Sequence, residues 1–270
     1  MADARDFFKT FIFDPEGSER VRRPGRPRET LVRAGANLLG KVTDAYFNTR
    51  IEGAQHIPRT GGAVIVANHG FLAGDSNVLY NAIVRKSGRV PRTVAAHFIW
   101  KFPTAGRLAR AVGVVKGDRD EIRDLLAAGE LVMIFPGGVR EAAKGPSDRE
   151  KLFWEGRTGF IRVALETGVP IVPVGVLGAD DLYWRSETRL DFLGKLTGDP
   201  DASAPVFWGL GPLPLPVSLK IRFGPPIPML GGLDAAQDDE QVGALHAQVK
   251  EAVEALLKVP DVPGFGGVEG

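Results

Sequence analysis

Residues 63–75 read AVIVANHGFLAGD. Five small or branched apolar residues run without a break and give way at once to Asn68 and His69. Asp75 follows six positions after His69, with Gly70 and Gly74 in the gap. A short continuous apolar run bounded by turn-forming residues is the pattern of a buried strand. Polar groups placed directly after it fall at the strand's carboxyl end, where open α/β sheets bind their ligands.

The chain on the C-terminal side of this stretch keeps the same rhythm. The pattern predicts a helix over 76–86, a strand in RTVAAH (92–97) and a helix in TAGRLARAVG ending at Gly113. A helix in EIRDLLAAG follows, stopped by Gly129. A strand, LVMIF (131–135), runs into PGGVRE. GRTGFIRVALETG is a helix that ends at Gly168, and PIVPVGV (170–176) is a further strand. Short apolar strands separated by helices imply βαβ units, hence an α/β fold with a mainly parallel central sheet flanked by helices. Residues 185–216 break the rhythm. Their FWGLGPLPLP segment is apolar yet full of Gly and Pro, so the expectation is a long irregular loop. SLKIRF restores a strand. A last helix spans about 239–258, with Val242, Leu245, Val249, Val253 and Leu256 on one stripe, Asp238 or Asp239 as cap and Pro260 after its end.

On the N-terminal side, DFFKTFIF (6–13) puts Phe7, Phe8, Phe11 and Ile12 on one side of a short helix. A polar Pro/Arg-rich linker leads to an amphipathic helix over 29–47. Its apolar stripe is Leu31, Leu38, Leu39, Val42 and Tyr46, and its polar face is Arg33, Asn37, Lys41 and Asp44. The expected organisation is therefore an N-terminal helical appendage over 1–50 that associates with membrane, an α/β domain over 51–260 and a tail over 261–270.

With 270 residues, the chain can bury a sizeable core. The net charge of +1 sets up no global field for an acidic partner, and the basic run RVRRPGRPR (20–28) is local. That run suits an anionic membrane surface as well as a solvated linker. The near-neutral remainder argues against nucleic acid. There is no cysteine, hence no disulfide framework and no thiolate metal site, which is compatible with the cytoplasm. No stretch reaches the ~20 apolar residues of a membrane-spanning helix. No signal-peptide core is evident.

Several motifs fail on inspection. GANLLGK (35–41) has the outline of a phosphate-binding loop, but Val42 stands where Ser or Thr is needed and no strand precedes it. GDS (74–76) lacks the downstream Asp-x-x-His that would activate Ser76, because Gly243 occupies the Asp position before His246. Ser76 reads instead as an exposed residue in the first turn of a helix. His56, His69, His97 and His246 never pair at metal-ligand spacing. His56 and His246 read as structural, and His97 as a residue at the same sheet edge as His69.

His69 is the best candidate base. An unperturbed imidazole titrates near ~6.5 and offers a neutral acceptor nitrogen at cellular pH. A carboxylate on the other ring nitrogen fixes the tautomer and stabilises the imidazolium. Asp75 can supply it if the loop folds back, which Gly70 and Gly74 permit. No Ser or Cys stands between His69 and a substrate, so the pair would activate a hydroxyl of the substrate itself. The bland alternative is that both residues merely cap the following helix. FPGGVRE (135–141) adds two small residues where backbone approaches a ligand. It also adds Arg140, whose planar fork suits phosphate or carboxylate, or alternatively a bridge to Glu141 or Asp75.

NHGFLAGD (68–75), VGVVKGDR (112–119), FPGGVREA (135–142) and VPIVPVGVLG (169–178) resemble, in order, the four sequence blocks of the glycerolipid acyltransferase superfamily. Two departures stand out: the first block has five residues between His and Asp instead of four, and Gly137 replaces a glutamate of the third block. With KLFWEGRTGFIRVA and PVGVLGADDLY, the chain is most similar to the branch of type-two diacylglycerol acyltransferases and phytyl ester synthases. The resemblance implies an O-acyltransferase acting through His69 and Asp75. The fatty acyl donor would be a thioester of CoA or acyl carrier protein, a co-substrate and not a resident cofactor. The acceptor would be a lipid alcohol. It implies Asn68, Lys116, Arg119, Gly137, Gly138, Arg140 and Glu141 as substrate-binding residues, no metal, and a peripheral place on the cytoplasmic side of a membrane. Loss of the glutamate at 137 favours a neutral acceptor. The alternatives are a lysophosphatidate acyltransferase, a thioesterase or lipase, and a non-catalytic lipid-binding module.

Overall fold

The structure, a computed structural model, describes residues 26–95, 100, 103–190, 203–210 and 213–258. The Phe-rich segment 6–13, most of the basic run, His97 and the tail 261–270 lie outside the described residues. In chain order the strands are β1 (Arg50–Glu52), β2 (Ala63–Ala67), β3 (Arg92–Ala95), β4 (Val115–Lys116), β5 (Leu131–Ile134), β6 (Ile171–Leu177), β7 (Trp184–Leu190), β8 (Ala204–Trp208) and β9 (Lys220–Phe223). The helices are α1 (Arg26–Phe47), α2 (Gly74–Ser87), α3 (Pro103–Ala111), α4 (Arg119–Ala127), α5 (Gly138–Ala142), α6 (Gly159–Thr167), α7 (Gly232–Gln237) and α8 (Asp239–Lys258).

Seven strands form one sheet in the order β1-β9-β6-β2-β5-β3-β4. All pairs are parallel except β6 with β9, so the expected mainly parallel sheet is what forms. β2 sits at its centre and all five of its residues are fully buried. Alternating side chains leave a strand on opposite faces. Val64 and Val66 join Val132, Ile134 and Ile171 in a core closed by α4, α6 and α8. Ala63, Ile65 and Ala67 join Met133, Val174 and Val176 in a second core closed by α2 and Phe47. Two buried faces explain why the run AVIVA carries no polar alternation.

The helix ends follow local chemistry. Asp118 caps α4, its carboxylate accepting from the amides of Asp120 and Glu121. Asp238, not Asp239, caps α8 by accepting from Glu240 and Gln241. Gly168 ends α6 in the left-handed region at φ 64°.

Two expectations need correction. Residues 185–216 are not one irregular loop, because β7 and β8 pair as an antiparallel hairpin that packs Phe207 against Phe71 and Tyr183. Trp184, Phe207 and Trp208 are strand formers whose signal was masked by the neighbouring Gly and Pro. The polar face of α1 does not lie wholly in solvent. α1 packs on α2 through Ala36, Gly40 and Phe47, with an Arg85–Asp44 ion pair beside them. A Cβ at Gly40 would lie 2.6 Å from Cδ of Arg85, so any larger residue there would displace the Arg85 side chain. Leu38, Leu39 and Val42 stay 55–68% exposed. Asp44, assigned to the polar face, is half-buried instead.

His56 and His246 are structural, as expected. Nδ1 of His56 lies 2.8 Å from the carbonyl oxygen of Phe223. His246 on α8 is half-buried between Trp154 and Phe160, and burial holds its imidazole below the ordinary histidine value. The unfolded chain takes up that proton near about 6.5, whereas the folded chain resists it. Stability contributed by the neutral ring is therefore present above about pH 6.5 and is lost as pH falls through the lower folded value. Denaturant midpoints measured between pH 5 and 7 should fall on acidification, and His246→Leu should flatten the dependence.

Candidate active site

The site grows from the carboxyl end of β2. Asn68 comes first, and its side-chain amide makes both of its bonds to one residue of the neighbouring strand. Nδ2 donates to the carbonyl of Val176 at 3.0 Å and Oδ1 accepts from the Val176 amide at 2.7 Å. Asn68 thus continues the ladder between β2 and β6 with its side chain.

The chain then turns. Gly70 is extended, not left-handed. It must be glycine because a Cβ there would lie 2.4 Å from the carbonyl oxygen of Ala179. The one left-handed residue between the dyad positions is Leu72, at φ 55° and ψ 18°. A left-handed non-glycine residue costs about 1–2 kcal/mol. The longer first block is thus closed by a strained leucine, 45% exposed, and not by the glycines. Gly74 is right-handed and begins α2.

This turn brings Asp75, in the first turn of α2, back to His69. Nδ1 of His69 lies 3.3 Å from Oδ2 of Asp75, and the same oxygen accepts from the Gly70 amide at 3.1 Å. Asp75 has no exposed surface. The His69 ring stacks on Phe135 with centroids 4.3 Å apart, and its side chain is 10% exposed. Nε2 makes no hydrogen bond among the described residues. With the Nδ1 proton held by Asp75, the Nε2 lone pair is the one left to accept a proton.

The third block supports this pair from beneath. β5 ends at Ile134, and the chain passes through Phe135 and Pro136 into α5. Gly138 is left-handed at φ 50°. Arg157, which the sequence reading passed over within EGRTGF, donates from Nη1 to the carbonyls of Pro136 (3.0 Å) and Gly137 (3.1 Å) and so fixes the glycine pair. Glu141 is fully buried. Its Oε2 accepts from the His69 amide at 2.8 Å and its Oε1 from the Phe153 amide at 2.9 Å. Burial pushes its carboxyl above the ordinary value, while Lys144 and the two amides pull it back. Both of its oxygens are held by backbone amides, one on His69 and one on Phe153.

Three predicted residues are not brought to His69. Arg140 bridges neither Glu141 nor Asp75. It is exposed, lies over the Phe153 ring and lines a cleft of about 700 Å³ with Glu150, Glu155 and Glu254. Lys116 lies on edge strand β4, three strands from β2. At the usual strand spacing that is about 14 Å. Arg119 pairs with Glu166 of α6. Ser76 is half-buried in the first turn of α2, not exposed, and has an interaction of its own. No group of three or more potential metal ligands occurs among the described residues.

Comparison with known proteins gives a consistent picture. A family described as Acyltransferase matches residues 48–177. An uncharacterized protein of Mycobacterium tuberculosis is 33% identical over 255 residues, which is 92% of this chain and 67% of that protein. A human protein named as a DGAT1/2-independent enzyme synthesizing storage lipids is 32% identical over 243 residues, 85% of this chain and 67% of its own length. The chain thus spans about two thirds of these relatives. Among solved structures, the 1-acyl-sn-glycerophosphate acyltransferase PlsC of Thermotoga maritima superposes with a TM-score of 0.56 at 17% identity, over 95% of this chain and 88% of that one. At that identity the likeness establishes the fold.

Asn68 gives a direct check on the division between scaffold and site. Removing its amide leaves a buried N–H and a buried carbonyl of Val176 without partners, at about 1–3 kcal/mol each. Asn68→Ala should lower unfolding free energy by roughly 2 kcal/mol or more, measured by chemical denaturation, with little change in KM for either substrate of the folded protein.

Proposed function

The chain belongs to the glycerolipid acyltransferase family, and on that premise we propose that it transfers a fatty acyl group from a thioester to the hydroxyl of a lipid alcohol. The observation that carries this reading is the His69–Asp75 pair at the carboxyl edge of the sheet, with Nε2 open. Nε2 takes the proton of the acceptor hydroxyl as its oxygen attacks the thioester carbonyl. Asp75 holds the ring in the Nδ1–H tautomer and balances the imidazolium. The tetrahedral intermediate then collapses, the thiolate leaves, and the proton on Nε2 accompanies it.

Lys116 and Arg119 are candidates for the donor's phosphates. Their separation from β2 requires a donor with a long arm between thioester and phosphate, such as CoA. A neutral acceptor is favoured over a phosphorylated one, because Arg140, the fork expected beside the site, lines a different cleft. The human relative's name, which refers to storage lipids, agrees with this. Arg157, beside the glycine pair, is the observation that favours the second reading, a phosphate-bearing acceptor.

The exposed stripe of α1 supports docking on a lipid surface. Leu38, Leu39, Val42 and Tyr46 face outward, and the Tyr46 hydroxyl donates to the carbonyl of Pro214, joining the stripe to exposed Leu210 and Leu213. No described helix is long and apolar enough to cross a membrane. An in-plane seat with the apolar face in the headgroup boundary is the geometry such a helix supports.

Labelled acyl-CoA offered with a panel of lipid acceptors, with and without a glycerol phosphate, tests the reaction. The label should appear on neutral lipid hydroxyls, and His69→Ala should reduce transfer by about 10²–10⁴-fold. Full transfer by that variant would remove the base assignment, and label only on phosphorylated acceptors would favour Arg157's reading. Replacing Leu38, Leu39 and Val42 together by Asp should abolish flotation with vesicles while leaving the thermal melt within a few degrees, since these side chains are outside the core.

A further inference from the structure

Gly137 and Glu141 stand one helical turn apart at the start of α5. A Cβ built on Gly137 would lie 2.1 Å from Cδ of Glu141 and 2.4 Å from its Oε2. The Glu141 carboxylate thus occupies the volume that any side chain at 137 would need. The two positions are mutually exclusive: glycine at 137 is the condition for Glu141 to fold back under the strand ends.

We propose that Glu141 is a positioning residue of the acyl-transfer reaction, its carboxylate fixing the backbone of His69 as Asp75 fixes the ring. The inference rests on His69 being the base. Several observations carry it. Oε2 accepts from the amide of the very residue that bears the imidazole, at 2.8 Å. Oε1 ties the same carboxylate to the Phe153 amide, so the support is anchored in a second segment and cannot swing with the first. Glu141 has no exposed surface, and its two oxygens are both committed to backbone, which separates it from any group that contacts substrate. The charge has a neighbour in Lys144, itself fully buried and paired with Asp180 at 2.9 Å.

Positioning matters here because the dyad has little slack. At 3.3 Å the His69–Asp75 contact is already at the long end for a hydrogen bond. The turn between them carries the left-handed Leu72 and so favours relaxation if released. A shift of His69's backbone by a few tenths of an ångström breaks the Nδ1 contact and rotates Nε2 away from the attacking hydroxyl. Displacement of a catalytic group by about 1 Å is worth about 10²-fold in rate.

The test uses the full chain with acyl-CoA and a lipid alcohol. Glu141→Gln keeps the shape but can accept only one of the two amide bonds on its oxygen. It should lower kcat by about 10–100-fold with KM unchanged within about two-fold, and the His69 backbone amide proton should move upfield in the NMR spectrum. In a Glu141→Ala background, Gly137→Asp should restore about ten-fold of the lost rate. Its carboxyl carbon, one bond of about 1.5 Å beyond Cβ, reaches the vacated place. A Glu141→Gln protein with wild-type kcat and an unmoved His69 amide overturns the proposal. So does a loss of rate that only tracks the fraction of folded protein. The base reading is judged separately by His69→Ala, and the amide shift reports the Glu141 contact whatever that variant does.

Discussion

A carboxylate with no exposed surface must find its compensation inside the protein, and at the carboxyl edge of this sheet two of them do so on adjacent residues. Asp75 takes the His69 ring and the Gly70 amide, and Glu141 takes the His69 amide and the Phe153 amide. Between them they determine where His69 sits, from the ring and from the backbone. Most local features of the region follow from this requirement. Gly137 has no side chain because Glu141 needs the space, and Gly70 has none because Ala179 presses against it. Leu72 bears a left-handed backbone because the turn must return Asp75 to His69 across one extra residue.

The sheet supplies the rigidity that makes such placement meaningful. β2 is central and buried on both faces, with β5 and β6 on its flanks. The Phe135 ring that stacks on His69 comes from the end of β5. The Val176 backbone that holds Asn68 comes from β6. Three neighbouring strand ends therefore contribute to the placement of one imidazole. The hairpin β7–β8 reaches the same region through Phe207 and Arg185, both of which contact Phe71 in the dyad turn. That contact links the exposed aromatic surface of the hairpin to the turn between His69 and Asp75.

What the sequence disclosed and what it concealed divide along physical lines. β2, β5, β6, α4 and α8 were legible because their apolar periods and caps are local signals. β1 and β4 were not, since strands of three and two residues carry almost no pattern and exist through their neighbours. The hairpin was hidden by the Gly and Pro that follow it. At the site, His69 and Asp75 were legible from residue type and position, although the explanation of the turn was not, because Leu72 and not a glycine takes the left-handed conformation. The partners of Asn68 and Glu141 were hidden for one reason: a polar residue near a strand end looks the same in sequence whether it faces a ligand or the backbone. Arg157 had a signal in EGRTGF, but its partners are carbonyls 20 and 21 residues away, which no local pattern reveals.

The central claim is that a neutral His69, held by Asp75, removes the acceptor's proton in the step that forms the ester. The pH dependence of kcat/KM for acyl transfer from acyl-CoA to a lipid alcohol tests it most directly. A single acid limb of unit slope is the predicted result, with activity falling as the imidazole takes up a proton and with Asp75→Asn lowering the plateau. A rate independent of pH from 5 to 8, in protein shown to remain folded across that range, would contradict the account.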